Sequence, residues 1–141
     1  MIVLDTNVLS ELGKRQCDPN VSAWIESRDP RELWITSITI SELVLGVMQM
    51  PEGARRNQVD DANAQLIGMF YDRTLSFNGN AAVEYGRFVA DRFSDGHPID
   101  RADAEIAACC MTTGAVLATR NQKDFNGIPG LELIDPWESG D

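Results

Sequence analysis

The sequence predicts an α/β fold, a three-layer sandwich in which helices cover both faces of a mostly parallel central sheet. Residues 1–4 and 116–118 are uninterrupted apolar runs, which are typical of strands buried on both faces. Stretches with helical spacing separate the predicted strands, and such connections favour right-handed crossovers between parallel strands. The chain has no repeat, low-complexity tract or flexible linker, so we expect residues 1–141 to form one domain.

The first elements are a strand over residues 1–5 and a helix over residues 6–14. Thr6 or Asn7 is available as the cap of that helix. A second helix is predicted over residues 20–28, because three apolar side chains recur there at helical spacing.

Residues 33–37 predict the second strand, since they combine β-branched side chains with a tryptophan. Ser37 or Thr39 caps the helix that follows. This helix is expected to run to about Met50, where a proline and a glycine stop it.

A helix over residues 54–72, a strand over 74–77 and a helix over 79–94 come next. Both helices carry an apolar stripe, formed by Val59, Ala62, Leu66, Met69 and Phe70 in the first and by Ala82, Tyr85, Phe88, Val89 and Phe93 in the second. After a turn at residues 96–98, a helix over 100–113 is predicted, ended by a glycine that favours helix termination. Residues 116–119 and 131–134 predict the last two strands.

The composition is that of a globular protein, with 43% hydrophobic and 24% charged residues. No segment is apolar and long enough to span a bilayer, and the N-terminus lacks the basic region of a signal peptide, so we expect a cytoplasmic protein without a membrane anchor. Three cysteines, two of them adjacent in an apolar helix, favour small buried thiols over a disulfide framework. The net charge of −10 counts against a broad basic surface for nucleic acid and favours a basic partner.

Four acidic residues lie where predicted strands pass into helices or loops: Asp5, Glu42, Asp103 and Asp124. Each has an ordinary explanation on its own, as a helix cap, a first-turn charge or a solvent-facing side chain. Because the carboxyl ends of parallel strands meet at one edge of a sheet, we expect the four carboxylates to converge. Converging carboxylates repel one another unless a cation lies among them. The pattern therefore predicts a site for a hard divalent ion, Mg²⁺ or Mn²⁺, and a metal-dependent hydrolase.

Four blocks of sequence contain the four acids: Ile2-Val3-Leu4-Asp5-Thr6-Asn7, Ser37-Ile38-Thr39-Ile40-Ser41-Glu42-Leu43 with Gly46 after it, Gly96-His97-Pro98-Ile99 with Asp103-Ala104-Glu105-Ile106-Ala107-Ala108, and Leu117-Ala118-Thr119-Arg120-Asn121-Gln122-Lys123-Asp124-Phe125. These blocks resemble the PIN-domain ribonucleases, and within them the toxins of the VapBC type, including the FitB-like branch. They stand in the family's order and together span almost the whole chain.

The resemblance implies a PIN-like fold and matches the four acids to the family's acidic quartet, with Asp5, Asp103 and Asp124 as metal ligands. Thr6 and Asn121 match polar positions that assist the site. The implied activity is endonucleolytic cleavage of RNA with Mg²⁺ or Mn²⁺, by the toxin of a type II toxin–antitoxin pair. The implied partners are RNA, a cognate antitoxin, operator DNA through that antitoxin, and a second copy of the chain in a homodimer.

In the expected reaction a metal-activated water attacks the phosphodiester in line and leaves 5′-phosphate and 3′-hydroxyl ends. Arg120 and Lys123 lie beside the last acidic residue, and Arg55 and Arg56 lie at the start of the long helix. All four could contact phosphate or could be ordinary surface charges. Asp100 shares a helix face with the acid three residues later, and it could support the site or only favour the helix start.

Two other functions remain open. A phosphatase of the haloacid-dehalogenase type also places an aspartate after its first strand, as Asp5 is placed here, but its signature requires a second acid where this chain has Asn7. An acidic, PIN-like interaction module without catalysis would bind a basic partner and would need no metal, and the net charge favours it. RNA cleavage with and without EDTA distinguishes these functions from a metal-dependent nuclease.

Overall fold

The computed structural model describes residues 1–138, and five strands form a central sheet within that range. The strands are β1 (Ile2–Leu4), β2 (Leu33–Thr36), β3 (Thr74–Leu75), β4 (Val116–Ala118) and β5 (Leu133–Ile134). Their order is β3-β2-β1-β4-β5, and every registered pair is parallel. The predicted α/β class is confirmed, and β1 and β4 occupy the inner positions that their apolar runs indicate.

Seven α-helices connect the strands in the described part of the chain. They are α1 (Thr6–Leu12), α2 (Pro19–Glu26), α3 (Ser37–Met48), α4 (Ala54–Phe70), α5 (Gly79–Ser94), α6 (Arg101–Thr113) and α7 (Gln122–Phe125). The first six agree with the predicted helices to within two residues at each end. The exception is α7, which was expected to be a loop, because a single turn is too short to show helical periodicity.

Two apolar cores lie on opposite faces of the sheet, because successive side chains of a strand point in opposite directions. On one face, Val3 and Leu117 pack against α5 and α6. On the other, Leu4 and Ile35 pack against α1, α3 and α4. All four side chains are fully buried, and each contributes roughly 1.5–3 kcal/mol of transfer free energy. The two cores confirm the predicted three-layer sandwich.

The caps of α1 and α3 differ from the prediction, because each helix starts directly after its strand. Asp5 caps α1 in place of the two residues after it, and its carboxylate accepts a hydrogen bond from the Thr6 backbone N–H. Thr36 ends β2 and caps α3 by accepting a hydrogen bond from the Thr39 N–H. The predicted caps Ser37 and Thr39 are therefore wrong. These abrupt strand-to-helix turns place polar side chains at the carboxyl edge of the sheet.

Three members of the predicted apolar stripes are exposed. Met69 is 64% exposed on α4, Phe93 is 76% exposed on α5, and Ala82 is exposed in the first turn of α5. A helix turns about 100° per residue, so Met69 lies beside the row formed by Leu66 and Phe70. Phe93 is five residues beyond Phe88, which likewise moves it away from the buried side of α5. Phe70 and Phe88 are buried as predicted.

Two smaller predictions are confirmed, one for the end of α6 and one for the adjacent cysteines. Gly114 ends α6 with a left-handed φ of 67°, a backbone conformation that residues other than glycine rarely adopt. Cys109 and Cys110 are buried free thiols, and Cys17 is partly buried. Within residues 1–138, no helix has both the length and the apolar character that crossing a membrane requires.

Candidate active site

Asp5 is a buried carboxylate at the carboxyl end of β1, with only 3% of its surface exposed. Its Oδ1 accepts a hydrogen bond of 2.8 Å from the Thr6 backbone N–H. Its Oδ2 accepts one of 2.7 Å from the hydroxyl of Thr119 and one of 3.3 Å from the amide of Asn7. These donors hold both carboxylate oxygens in fixed directions.

Thr119 is a site residue that sequence reasoning did not assign. It follows β4, whose register pairs Leu4 with Ala118, so Thr119 stands beside Asp5 at the same sheet edge. Its side chain is fully buried, and its Oγ1 also accepts a hydrogen bond of 3.0 Å from the Asn121 N–H. A polar residue directly after a second inner strand is the sequence signal that would have found it.

Glu42 lies on α3, and the hydroxyl of Thr6 donates a hydrogen bond of 2.6 Å to its Oε1. The Thr6 and Thr39 hydroxyls are 3.0 Å apart. Because a hydroxyl has one proton, Thr39 must donate to Thr6 when Thr6 donates to Glu42. Thr36 can donate to Thr39 at 3.5 Å. A row of three hydroxyls therefore fixes the direction of the Glu42 carboxylate, and Thr6 lies in contact with that acid.

Asp103 lies half-buried in the first turn of α6. Burial raises its pKa to about 7, and the negative charges of Asp5, Asp100, Asp124 and Glu42 add to the rise. A raised pKa of this size means that the ionised form is disfavoured in the folded protein.

The pKa of Asp5 is also raised, first by burial and then by the charges of Glu42 and Asp124. The hydrogen bonds from Thr119 and Thr6 oppose this rise, because they favour the ionised form. The charges of Glu42 and Asp124 therefore act on both Asp5 and Asp103.

Asp124 lies on α7 with its side chain exposed. With Asp103 and Lys123 it lines a pocket of about 340 Å³. Arg92, on α5, donates hydrogen bonds of 3.2 Å to the Asp124 carbonyl and 2.9 Å to the Asn126 carbonyl. Arg92 therefore ties α5 to the segment that carries the last acid, a role that the sequence did not indicate.

Other predicted site residues are placed less directly. Asn121 is exposed, and within residues 1–138 its side chain forms no hydrogen bond. Asp100 is exposed at the start of α6, where its side chain caps nothing. Its effect on the site is electrostatic, because its negative charge helps to raise the pKa of Asp103.

The four candidate phosphate contacts differ in their surroundings. Lys123 lines the pocket beside Asp124. The guanidinium of Arg120 lies 5.0 Å from the centre of the Trp137 ring, and Arg56 contacts the sulfur of Met48. Arg55 lines a larger groove that also reaches Thr6 and Glu42. Other residues in the lining of this groove are Ser10, Lys14, Arg15, Gly46 and Met50.

The donor chemistry of the acids suits a hard divalent ion, since all are carboxylates. Among residues 1–138, however, no three His, Cys, Asp or Glu side chains are grouped closely enough to hold an ion by themselves. Mg²⁺ in proteins commonly keeps several waters and uses one or two carboxylates directly. The residues therefore fit a partly hydrated ion and do not fit a fully dehydrated one.

Comparison with known proteins agrees with this fold. The PIN domain model matches residues 2–131. The VapC ribonuclease Y4jK of Sinorhizobium fredii is 37% identical over 139 residues, which cover 98% of this chain and 99% of the relative. Toxin FitB of Neisseria gonorrhoeae is 31% identical over 138 residues, which cover 97% of this chain and 99% of the relative.

A solved structure of FitAB bound to an IR36 DNA fragment shares the fold, with a TM-score of 0.90 and 30% identity. The superposition covers 100% of this chain and 99% of the other. A family model that spans nearly all of the sequence, two relatives above 30% identity over almost their whole length and a superposition this close lead to one conclusion: the chain belongs to the PIN-domain family, with relatives named VapC ribonuclease and FitB toxin.

Proposed function

We propose that the chain is a metal-dependent endoribonuclease and the toxin of a type II toxin–antitoxin pair. The observation that carries the proposal is the setting of Asp5, a carboxylate at 3% exposure whose two oxygens are held by Thr6, Asn7 and Thr119. Placing further carboxylates near a buried one destabilises a fold unless a cation offsets the repulsion. A cluster of this kind at a sheet edge is therefore best explained by function.

Asp5, Asp103 and Asp124 would hold Mg²⁺ or Mn²⁺, but not all of them directly, because no three such side chains in residues 1–138 are grouped closely enough to bind one ion. One or two carboxylates would bind the ion, and water that it retains would connect it to the rest. When bound, the ion supplies Lewis acidity toward a phosphate and toward a water molecule. Thr119 and the Thr6 N–H keep the Asp5 oxygens directed, so the site is organised before substrate arrives.

Glu42, held by the Thr6 hydroxyl, orients the attacking water and accepts its proton. The water oxygen bonds to phosphorus, the bond from phosphorus to the 3′ oxygen breaks, and the 3′ oxygen takes up a proton. The products then carry 5′-phosphate and 3′-hydroxyl ends.

The names of the relatives support both parts of the proposal. One is a VapC ribonuclease and another is a toxin, and the FitAB structure contains DNA. By analogy, this chain acts on RNA in the cytoplasm, is inhibited by a cognate antitoxin, reaches operator DNA only through that antitoxin, and forms a homodimer.

The test is cleavage of a mixed RNA population by the purified protein with Mg²⁺ or Mn²⁺, with and without EDTA. We expect EDTA to abolish cleavage. We expect Asp5→Asn to reduce the cleavage rate by about 100-fold or more, because replacing a metal ligand should cost more than the 10- to 100-fold loss that is typical of a residue which only orients a ligand. Asp60→Asn, at an exposed acid on α4, is the matched control and should retain activity. Activity that is insensitive to EDTA, or equal in wild type and Asp5→Asn, would refute the proposal.

The net charge of −10 favours a second candidate, an acidic module that binds a basic partner without catalysis. It predicts partner binding with no cleavage of any RNA, and Asp5→Asn would leave that binding unchanged. The phosphatase alternative requires a second acid beside Asp5. In this chain Asn7 occupies that position, and its amide nitrogen lies 3.3 Å from Oδ2 of Asp5.

A further inference from the structure

A groove of about 790 Å³ begins at the candidate active site and continues along two helices. One wall is the row Thr6, Ser10 and Lys14 on and just after α1, and the facing wall includes Glu42 and Gly46 on α3. Residues four apart lie on the same side of a helix, about one turn further on. Since the Thr6 hydroxyl bonds Glu42 at 2.6 Å, the two walls meet at the catalytic end.

The other end of the groove is basic. Ser10 lies about 6 Å beyond Thr6 along α1, and Lys14 follows two residues after the last residue of that helix. Lys14 is neutralised in part by Glu11, with Nζ 2.9 Å from Oε1. Arg15 and Arg55 also line the groove, are exposed, and form no ion pair within residues 1–138. In a chain with 22 acidic and 12 basic residues, two free guanidinium groups on one groove are an attractive site for an anionic ligand.

Gly46 keeps the groove open one turn beyond Glu42. It lies in the last turn of α3 without a positive φ, and a Cβ built on it would meet no atom within 4 Å. Neither backbone conformation nor packing therefore requires glycine here, although glycine costs up to about 1 kcal/mol relative to alanine inside a helix. What a side chain at this position would fill is the groove itself.

We propose that this groove binds the single-stranded stretch of RNA next to the scissile phosphate, an inference that rests on the ribonuclease function proposed above. Arg15 and Arg55 contact phosphates, and the space over Gly46 receives a nucleotide. The volume is that of a pocket for small ligands, which suits a few unpaired nucleotides and not a duplex. The half-buried side chains of Met50 and Val59 in the wall offer an apolar surface to sugar or base.

The decisive variant is Gly46→Leu, and the chain contains a matched control. Gly68 is the third residue from the end of α4, as Gly46 is in α3, and a Cβ there also meets nothing within 4 Å. Gly68 is exposed and does not line the groove. Leucine favours helix over glycine at both positions, so both variants should fold at least as stably as wild type in thermal unfolding.

Two measurements are made with a short, fluorescein-labelled single-stranded RNA of randomised sequence: cleavage kinetics with Mn²⁺, and binding by anisotropy in EDTA. Gly46→Leu should raise KM and weaken binding by about tenfold, while Gly68→Leu should match wild type. Replacing Arg15 and Arg55 together by glutamine should reduce the slope of log affinity against log salt by about 1.4, since each single-strand phosphate contact contributes about 0.7.

The outcomes separate this inference from the function on which it rests. If wild type cleaves RNA and Gly46→Leu binds and cleaves as Gly68→Leu does, the groove is not the RNA path and the ribonuclease proposal stands. If wild type cleaves nothing, the ribonuclease proposal fails, yet weaker binding by Gly46→Leu alone would still support the groove. Loss of binding to the antitoxin, with RNA binding intact, would assign the groove to a protein and overturn the inference.

Discussion

At the scale of single residues, the site consists of carboxylates whose directions are fixed by hydrogen bonds but whose negative charges are not neutralised by neighbouring side chains. Asp5 has hydrogen-bond donors on both oxygens, whereas Asp103 is half-buried near Asp5 and Asp124. Orientation without neutralisation is the arrangement expected where an external cation completes the electrostatics. It also means that the protein without metal is destabilised by its own site.

We therefore predict that Asp103→Asn stabilises the metal-free protein at slightly alkaline pH. The pKa of Asp103 is raised from 3.8 to about 7 on folding, so the folded state binds the extra proton, and the stability that this provides is lost as pH rises through about 7. Asparagine cannot ionise, so the free energy of unfolding of the variant should increase relative to that of wild type as pH rises from about 4 to about 8. Because the side chain is half-exposed, we expect only about 1 kcal/mol, or about 3–5 °C in melting temperature.

Thermal unfolding in EDTA across this pH range provides the measurement. Asp60→Asn, at the exposed acid on α4, controls for the loss of one negative charge and should show no such dependence on pH. The same Asp103→Asn protein should be inactive on RNA, so a more stable but less active variant is the expected result. A difference in melting temperature that is constant with pH, or larger at pH 4, would contradict the assignment.

At the scale of elements, the short helix α7 depends on a neighbour distant in sequence. Arg92 on α5 donates to the carbonyls of Asp124 and Asn126, and Phe125 between them is 1% exposed. One turn of helix has little stability of its own. The backbone that carries Asp124 is therefore held by α5 and the buried phenylalanine.

Replacing Arg92 by glutamine should displace Asp124 with only a moderate loss of stability. Two hydrogen bonds from a charged donor are lost, at about 1–3 kcal/mol for the pair at this partly exposed position. We expect a several-fold higher Mn²⁺ concentration for half-maximal activity and a weaker Mn²⁺ affinity in calorimetry, in line with the loss of a group behind a ligand. Arg87→Gln, which removes a surface pair with Glu84 on the same helix, is the control. Equal Mn²⁺ affinity in the two variants would show that Arg92 has no positioning role.

The elements also show which parts of the fold were predictable. The strands with continuous apolar runs and the six longer helices follow from local periodicity, so β1, β4 and the placement of Asp5 were predicted correctly. Arg92, α7 and Thr119 were not predicted. The role of Arg92 depends on a contact with Asp124, 32 residues away, and α7 is too short to show helical periodicity. Thr119 could have been found from its place after an inner strand, but its bond to Asp5 spans 114 residues. The exposure of Met69, Ala82 and Phe93 was missed because an apolar stripe alone does not show how wide the buried side of a helix is.

At the scale of the whole molecule, the net charge of −10 and the acidic site must be considered together. Any salt reduces the repulsion among all the acids of such a chain, so stabilisation by Mg²⁺ or Mn²⁺ has a general part and a specific part. Only the specific part depends on the few carboxylates at the sheet edge. The two parts can be separated because the site contributes few of the 22 acidic residues.

The last prediction separates them by thermal unfolding in Mn²⁺ and in NaCl at equal ionic strength. An ion at about 100 times its dissociation constant stabilises the fold by about 2.7 kcal/mol, a rise of several degrees for a domain of this size. Wild type should show this rise with Mn²⁺ beyond the effect of NaCl. The variant with Asp5→Asn and Asp103→Asn changes the net charge only from −10 to −8, so it should respond to NaCl like wild type and lose the excess with Mn²⁺. If Mn²⁺ raises the melting temperature beyond the effect of NaCl equally in both proteins, the ion binds elsewhere. If it does not do so in wild type, a bound cation does not explain the acidic cluster.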